Sequence, residues 1–371
     1  MNKRWLGLLL IAVMISSSGC NDRLDLEDAA FPLLAGFDLD EKNNLRTYVA
    51  LPVFSNSARK KTYKLAVTAQ SLGQTRQESD AHWPTVFQGR KLLVMLVSKR
   101  LVEHDDWFRI LDVFSRDAKN PLTSRLILYD GPLSELVFLN QKDEPFLPLL
   151  LRGMVDTKSG RSETVKTTFQ DMHRLRFEKG KTPSIAEVRL DHEIRLSGSA
   201  LLDHGGKYVD SLDAQETILM KILQNEAKSA VSLTLAIPGH PKRGPLNADR
   251  LSFNTDKVKT TIKTYFHDDN FQFDFAVRLS VGLTERLFPY DVKNKSAELE
   301  KAIALELQKQ LVRLISKIQS HRIDPIGLGI QAQAFAYKPY KKVEDQWGEV
   351  LSQAAINVTV KVSIDNMGAV K

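Results

Sequence analysis

Apolar and polar positions divide this chain into two textures. From about residue 185 onward the alternation is clean. Val188, Leu190, His192, Ile194 and Leu196 alternate with Arg189, Asp191, Glu193 and Arg195. Val231, Leu233, Leu235 and Ile237 repeat the pattern, and Phe271, Phe273, Phe275, Val277, Leu279, Val281 and Leu283 extend it over a long strand. Ile356, Val358, Val360, Val362 and Ile364 alternate with Asn357, Thr359, Lys361 and Ser363. Successive strand residues point to opposite faces, so this period predicts half-buried strands in an antiparallel sheet with one wet face. His192 falls on the apolar face of its strand, where a hydrogen-bonded core histidine is the ordinary reading. Two helices stand among these strands. Asp213 and Glu216 have capping-box spacing ahead of Ile218, Leu219, Ile222 and Leu223. From Ser296 to about Gln319, the residues Leu299, Ile303, Leu307, Leu311, Leu314, Ile315 and Ile318 share one helical face. That helix ends ahead of Asp324-Pro325, where the position before proline disfavours helix.

Residues 46–184 mix the two periods and read as one or two α/β subdomains. Tyr63, Leu65, Val67 and Ala69 form a half-buried strand, and Leu92 to Val97 is an unbroken apolar run, a buried strand or a short helix. Trp107, Ile110, Leu111 and Phe114 lie on one helical face behind Asp105 and Asp106, which are placed to cap it. Ser124 to Tyr129 reads as a strand, and Leu133 to Leu139 as a short helix. One long helix packed across an antiparallel sheet, preceded by a mixed region, gives a multi-domain α+β chain of antiparallel sheets with packed helices.

The first twenty residues follow a different logic. Lys3 and Arg4 precede an uncharged apolar run from Trp5 to Ile15, then Ser16, Ser17, Ser18, Gly19 and Cys20. This is the layout of a secretory signal over residues 1–19, and the run is shorter than the roughly 20 apolar residues of a membrane span. Small residues before a cysteine resemble the lipobox of bacterial lipoproteins, although Ser17 stands where leucine is usual. That resemblance implies a diacylglyceryl thioether on Cys20, with residues 20–45 as anchor and polar tether. Cys20 is the only cysteine of the 371 residues, so no internal disulfide competes for it. The formal charge of +7 falls to +5 once Lys3 and Arg4 are removed. A mild excess of this kind suits a surface beside anionic lipid. The longest basic cluster is Arg59, Lys60 and Lys61, and no nucleic-acid partner is expected.

Candidate chemistry is sparse. His82, His104, Asp105 and Asp106 lack metal-ligand spacing, and His267, Asp268 and Asp269 read as a turn between two strands. No GxSxG occurs, and Gly327 and Gly329 complete neither a dinucleotide nor a P-loop pattern; a turn between the long helix and a strand is their ordinary role. No catalytic residue, metal site or cofactor is predicted.

Several short segments nevertheless fall in a familiar order. They are Gly198-Ser199-Ala200-Leu201-Leu202-Asp203, Gly206-Lys207-Tyr208-Val209, Leu212, Glu216-Thr217, Asp324-Pro325-Ile326-Gly327-Leu328-Gly329, Trp347 and Gly368. Phe87-Gln88-Gly89-Arg90-Lys91, Leu101, Ile110-Leu111 and Arg116-Asp117 add to them in the first half. This series resembles the Ger(x)C lipoproteins, the C subunits of spore germinant receptors. The resemblance implies a non-enzymatic subunit, lipid-anchored on the outer face of the spore inner membrane. Its partners would be two integral membrane subunits, one permease-like. It defines no germinant-binding residues. Two rival classes make distinct demands: a solute-capturing lipoprotein of a transporter calls for two parallel-sheet lobes around a cleft, and a peptidoglycan-acting envelope enzyme for two carboxylates facing across one.

Overall fold

The computed structural model describes Trp5 and residues 29–53, 62–75, 78, 86–87, 89–117, 120–139, 146–228, 230–239 and 249–366. Cys20, the signal segment apart from Trp5, His82, the basic cluster at 59–61 and Gly368 lie outside the described residues.

The first half builds an eight-stranded sheet. In chain order its strands are β2 (Leu34–Leu39), β3 (Leu45–Pro52), β4 (Thr62–Ala69), β6 (Val94–Ser98), β7 (Arg125–Tyr129), β8 (Ser184–Leu190), β9 (Ile194–Leu202) and β10 (Tyr208–Asp213). A short parallel pair, β1 (Ala29–Ala30) with β5 (Val86–Phe87), stands apart. Across the sheet the order is β10-β9-β8-β7-β6-β2-β3-β4. The centre is parallel, from β2 through β6 and β7 to β8, and antiparallel strands flank it on both sides.

Parallel strands are joined by crossovers that cover both faces, so their residues are buried whichever way they point. Met95 and Val97 face a core with Leu101, Trp107, Phe108, Leu111, Phe169 and Met172. These come from α1 (Lys99–Val102), the 3₁₀ turn Trp107–Leu111, and α5 (Phe169–Leu175), with α2 (Asp112–Arg116) following the turn. Val94 and Leu96 face the opposite core, with Leu133, Leu136, Val137, Leu147, Leu151 and Val155. Those belong to α3 (Leu133–Val137) and α4 (Leu147–Gly160).

The structure corrects several sequence expectations. The polar tether drawn through residue 45 is broken by Leu34–Leu39, buried at all six positions between β6 and β3. A strand covered on both faces carries no alternation, and Ala35 and Gly36 soften the run further. The stretch 188–196 is a hairpin rather than one strand: Val188 lies opposite Leu196 and Leu190 opposite Ile194, so the period survives the turn. His192 sits in that turn and is exposed, not in a core. Asp106 does not cap a helix, because its backbone is left-handed (φ 59°) and its side chain makes no capping bond. The division drawn at residue 185 falls at the start of β8, whose pairing with β7 carries the sheet onward to Asp213.

The second sheet has the order β11 (Ser232–Ala236), β12 (Arg250–His267), β13 (Asn270–Arg286), β14 (Ala355–Asn366). The β12–β13 hairpin turns on Asp268 and Asp269, with φ of 50° and 58°. Two left-handed residues form the I′ turn that matches strand twist, and aspartate tolerates that region better than most. The inward positions Phe253, Phe271, Phe273, Phe275, Val277, Leu279 and Val281 are buried as the alternation requires. Strand β14 departs from the antiparallel expectation by running parallel to β13. Chain between them returns to the same end through helical crossovers, which a parallel pair needs.

The principal crossover element is α7 (Val292–Ser320), whose apolar stripe from Leu299 to Ile318 is buried at all seven predicted positions. It starts one turn before Ser296, with a kink at Lys295. Helix α6 (Ala214–Leu223) carries the predicted capping box: Asp213 Oδ1 accepts Glu216 N–H at 2.7 Å, and Glu216 Oε2 accepts Asp213 N–H at 3.0 Å. After α7 come α8 (Leu328–Phe335), α9 (Tyr337–Val343) and α10 (Trp347–Gln353), so Gly327 and Gly329 lead into a helix rather than a strand. The chain is α+β throughout.

Candidate functional site

Three places gather chemistry. The first is the edge where β2, β6 and β7 end together, the position at which open parallel sheets collect ligands. A pocket of about 350 Å³ there is lined by Asp38, Lys99, Arg100, Glu103, Asp130, Gly131 and Pro132. Asp38 is buried and accepts the N–H groups of Leu39 (2.8 Å) and Leu133 (2.9 Å), so its carboxylate fixes the start of α3. Lys99 Nζ lies 3.6 Å from Asp130 and 4.5 Å from the centre of the Tyr208 ring. Burial pulls its ammonium down; Tyr208 and Asp130 outweigh that and hold it above the ordinary lysine range. Arg189 bridges Asp130 (3.5 Å) and the fully buried Glu187 (2.9 Å), and Ser211 donates to Glu187. Asp130 and Glu187 are therefore joined through a guanidinium. The arrangement can match both charges of a small zwitterion, and it contains no activated nucleophile.

The second is the knot at Asp324, which is 1% exposed. Its Oδ1 accepts Gly327 N–H (2.7 Å), and its Oδ2 accepts Gly329 N–H (2.7 Å) and Trp347 Nε1–H (2.8 Å). Its own N–H donates to Thr182 Oγ1 (3.1 Å), and its carbonyl accepts Thr182 N–H (2.8 Å). Burial pushes the Asp324 carboxyl above its ordinary range, against the pull of Trp347 and the backbone donors. A Cβ on Gly329 would stand 2.5 Å from Gly180 Cα, so both backbones meet where only glycines fit. Trp347 packs edge-on against Phe271 and Tyr340, each at 5.3 Å. The Asp-Pro-Ile-Gly-Leu-Gly segment thus locks α7, α8 and α10 to the chain entering β8. Gly198 has a similar role: a Cβ there would lie 2.0 Å from the Leu212 carbonyl of β10.

The third is a groove of about 1010 Å³ between α4 and β9. Leu149, Leu150, Met154, Ile194 and Leu196 line it, with Leu149 53% exposed. This is the kind of exposed apolar surface that marks a contact site. Sequence periodicity missed it because α4 has apolar side chains on more than one face, and no spacing says which face stays uncovered.

Of the residues singled out from sequence, His104, Asp105 and Asp106 are exposed, and Lys207 reaches Asp105 at 3.0 Å. Among the described residues no group of three or more His, Cys, Asp or Glu could hold a metal ion, and no helix is long and apolar enough to cross a membrane. Cys20, predicted to carry the lipid, lies outside the described residues.

Comparison with known proteins fits these features. The N-terminal domain of spore germination proteins matches residues 22–190, and the C-terminal domain described as spore germination B3/GerAC-like matches residues 197–368. The spore germination protein YndF of Bacillus subtilis (strain 168) is 22% identical over 85% of this chain and 77% of its own length. The putative spore germination protein YfkR of the same organism is 17% identical over 97% of this chain and 95% of its own. The crystal structure of the GerBC protein superposes with a TM-score of 0.59 at 17% identity, covering 90% of this chain and 97% of that one. The fold is therefore the two-domain α+β arrangement of GerBC. This chain belongs to the GerAC-like family of spore germination proteins.

Proposed function

We propose that this chain is the lipid-anchored C subunit of a nutrient germinant receptor, held on the outer face of the spore inner membrane by Cys20. It acts there without catalysis, through contact with two integral membrane subunits, one of them permease-like. The observation that carries this reading is the match of both germination domains in sequence across nearly the whole chain, behind an apolar run that leads through small residues to the only cysteine, Cys20. The apolar groove between α4 and β9 supports it, since a subunit that works by contact needs uncovered apolar surface. The charge pairing around Asp130 and Glu187 agrees with a binding rather than a hydrolytic role. The solute-capture alternative loses support, because among the described residues the eight-stranded sheet alone has a parallel core.

Two measurements test it. Spores lacking this chain should lose the response to one class of nutrient and keep the others; normal germination with every nutrient would refute the receptor role. Cys20→Ala should move the protein from the membrane to the soluble fraction, and two acyl chains give the stable attachment that one does not. Retention of that variant would mean protein contacts do the holding.

A further inference from the structure

Among the described residues, the outward positions of β12, β13 and β14 are exposed or half-buried, and the charges of this face are arranged unusually. Outward positions on β12, β13 and β14 fall into cross-strand rows. Lys259 lies opposite Arg278, and Arg278 opposite Lys361, so three cations stand side by side across three strands. The neighbouring row on one side is Lys257, Ser280 and Ser363, and on the other Thr261, Ala276 and Thr359. Three consecutive rows thus hold four cations and no acid. Lys257, Lys259, Arg278 and Lys361 are exposed, and among the described residues none of them has a carboxylate within ion-pair distance. The acids of this face lie outside those rows; Asp365 reaches the Lys257 row, where it also acts electrostatically on Lys257, and no acid lies in the Lys259, Arg278 and Lys361 row. Asp274, opposite Lys263, accepts from Asn357 (2.8 Å) and Gln272 (3.0 Å), and Asp365 accepts from Ser280.

Like charges directly opposite on a sheet are destabilising. A lysine on an edge strand such as β14 is a common guard against edge pairing. That account does not cover Arg278, which lies on an interior strand with a cation on either side. A row of this kind is relieved by an anion laid across it. Side chains between the cations are short hydroxyls and an alanine, without the aromatic or large aliphatic anchors that form the centre of protein interfaces. The nearest large ring on this face is Tyr265, 36% exposed and stacked on His267 at the hairpin end. Tyrosine is at home at the head-group level of a bilayer.

We infer that this face, centred on Lys259, Arg278 and Lys361, rests on anionic phospholipid head groups. Lipid phosphates fit the observations better than an acidic protein segment, because the cations are spread over a flat polar surface with no apolar pocket among them. A single lipid anchor combined with a basic patch also gives firmer attachment than either alone. The inference extends the membrane-bound reading above but is read out without the lipid.

The test uses the full chain carrying Cys20→Ala, floated with vesicles of equimolar phosphatidylglycerol and phosphatidylcholine or of phosphatidylcholine alone. Residues 5–15 are common to every arm, so the ratio of anionic to neutral binding is the readout. Each basic side chain near an anionic surface strengthens binding about fivefold at ordinary salt. The triple variant K259Q/R278Q/K361Q should therefore bind anionic vesicles about 100-fold more weakly, with neutral-vesicle binding unchanged and a flatter salt dependence. Its thermal midpoint should hold or rise, since like-charge repulsion is removed. A control triple, K293Q/K301Q/K342Q, alters exposed lysines on α7 and α9 with the same loss of charge. Equal losses in both variants would make the effect one of net charge and overturn the assignment, as would unchanged binding by the first. Loss of binding to soluble polyglutamate with vesicle binding intact would reassign the face to an acidic protein. Failure of the Cys20→Ala fractionation would refute the anchor and leave this result standing.

Discussion

At the scale of single residues, the chain concentrates its unusual chemistry in structural positions. Asp324 shows why an aspartate can be buried completely: three N–H groups converge on its two oxygens, and two bonds from Thr182 fix its backbone. Asparagine has the same shape, but its amide turns two hydrogens toward a shell of donors. Asp324→Asn should therefore lower stability by about 3 kcal/mol, since bonds to a charged group are lost and a buried donor is left unpaired. Gly329→Ala should do comparable damage by a different route, forcing Gly180 and Trp347 apart, and overpacking of this kind costs about 1–3 kcal/mol. Chemical denaturation of each variant checks both figures; a loss under half a kilocalorie in either would mean that the knot relaxes freely. The glycines and the aspartate of this segment were visible in the sequence, but their purpose was not. Only the fold brings Gly180 and Thr182 to them from more than a hundred residues away.

At the scale of elements, legibility followed the number of wet faces. Strands β13 and β14 and helix α7 each expose one side, so their periods of two and 3.6 were written in the residues and their buried stripes were read correctly. Strand β2 is covered on both faces and was mistaken for tether. The strand ahead of the 267–269 turn was expected, but the extent of β12 was not legible, because its inward positions include Thr255 and Thr260 and a bulge shifts its register between Thr255 and Lys257. The groove and the strand-end pocket were illegible for another reason, since each joins elements far apart in the chain. Helix α4 shows how such elements are tied. Asp156 on it accepts from Arg125 Nε of β7 at 2.9 Å, with Lys166 (3.6 Å) and Arg152 (3.5 Å) nearby. Burial raises the Asp156 carboxyl, and Arg125 and the two other cations more than reverse that, leaving it below the ordinary 3.8. A carboxylate with a lowered folded-state pKa adds stability that is complete above its unfolded value and is lost as pH falls through the folded one. Asp156→Asn should cost about 1.5 kcal/mol at pH 7. The gap to wild type should close in acid, as pH falls from the unfolded-state value of about 4 through the lower folded-state one. A gap that stays constant into acid would mean that shape, not charge, explains the loss.

At the scale of the whole molecule, the first sheet, which has cores of its own, also contributes to the core of the second. Val165, Leu201 and Leu212 belong to the region of the first sheet, yet they are packed into the core formed by α6, α7 and the second sheet. Lys317 of α7 reaches Asp210 (3.2 Å) and Glu216 (3.4 Å), and Thr182 holds Asp324 from the other side. Chains of two domains commonly unfold in separate steps, because interfaces between domains are smaller and more polar than cores. Here the boundary runs through buried aliphatic side chains, so loss of either sheet would expose apolar surface of the other. Unfolding should therefore be a single event. Two tryptophans report on it separately: Trp107 donates to Gly206 beneath the first sheet (2.6 Å), and Trp347 is packed in the core of the second. With Trp5 and Trp83 replaced by phenylalanine, variants keeping only Trp107 or only Trp347 should each give a fluorescence transition in urea that coincides with the same variant's loss of far-ultraviolet circular dichroism. Asp324→Asn, which acts on the second sheet's helices, should shift both curves. If the Trp347 curve moved while the Trp107 curve stayed, the shared core would be a contact between independent units. A body that unfolds as one would also transmit force as one, as the contact-based role proposed above requires.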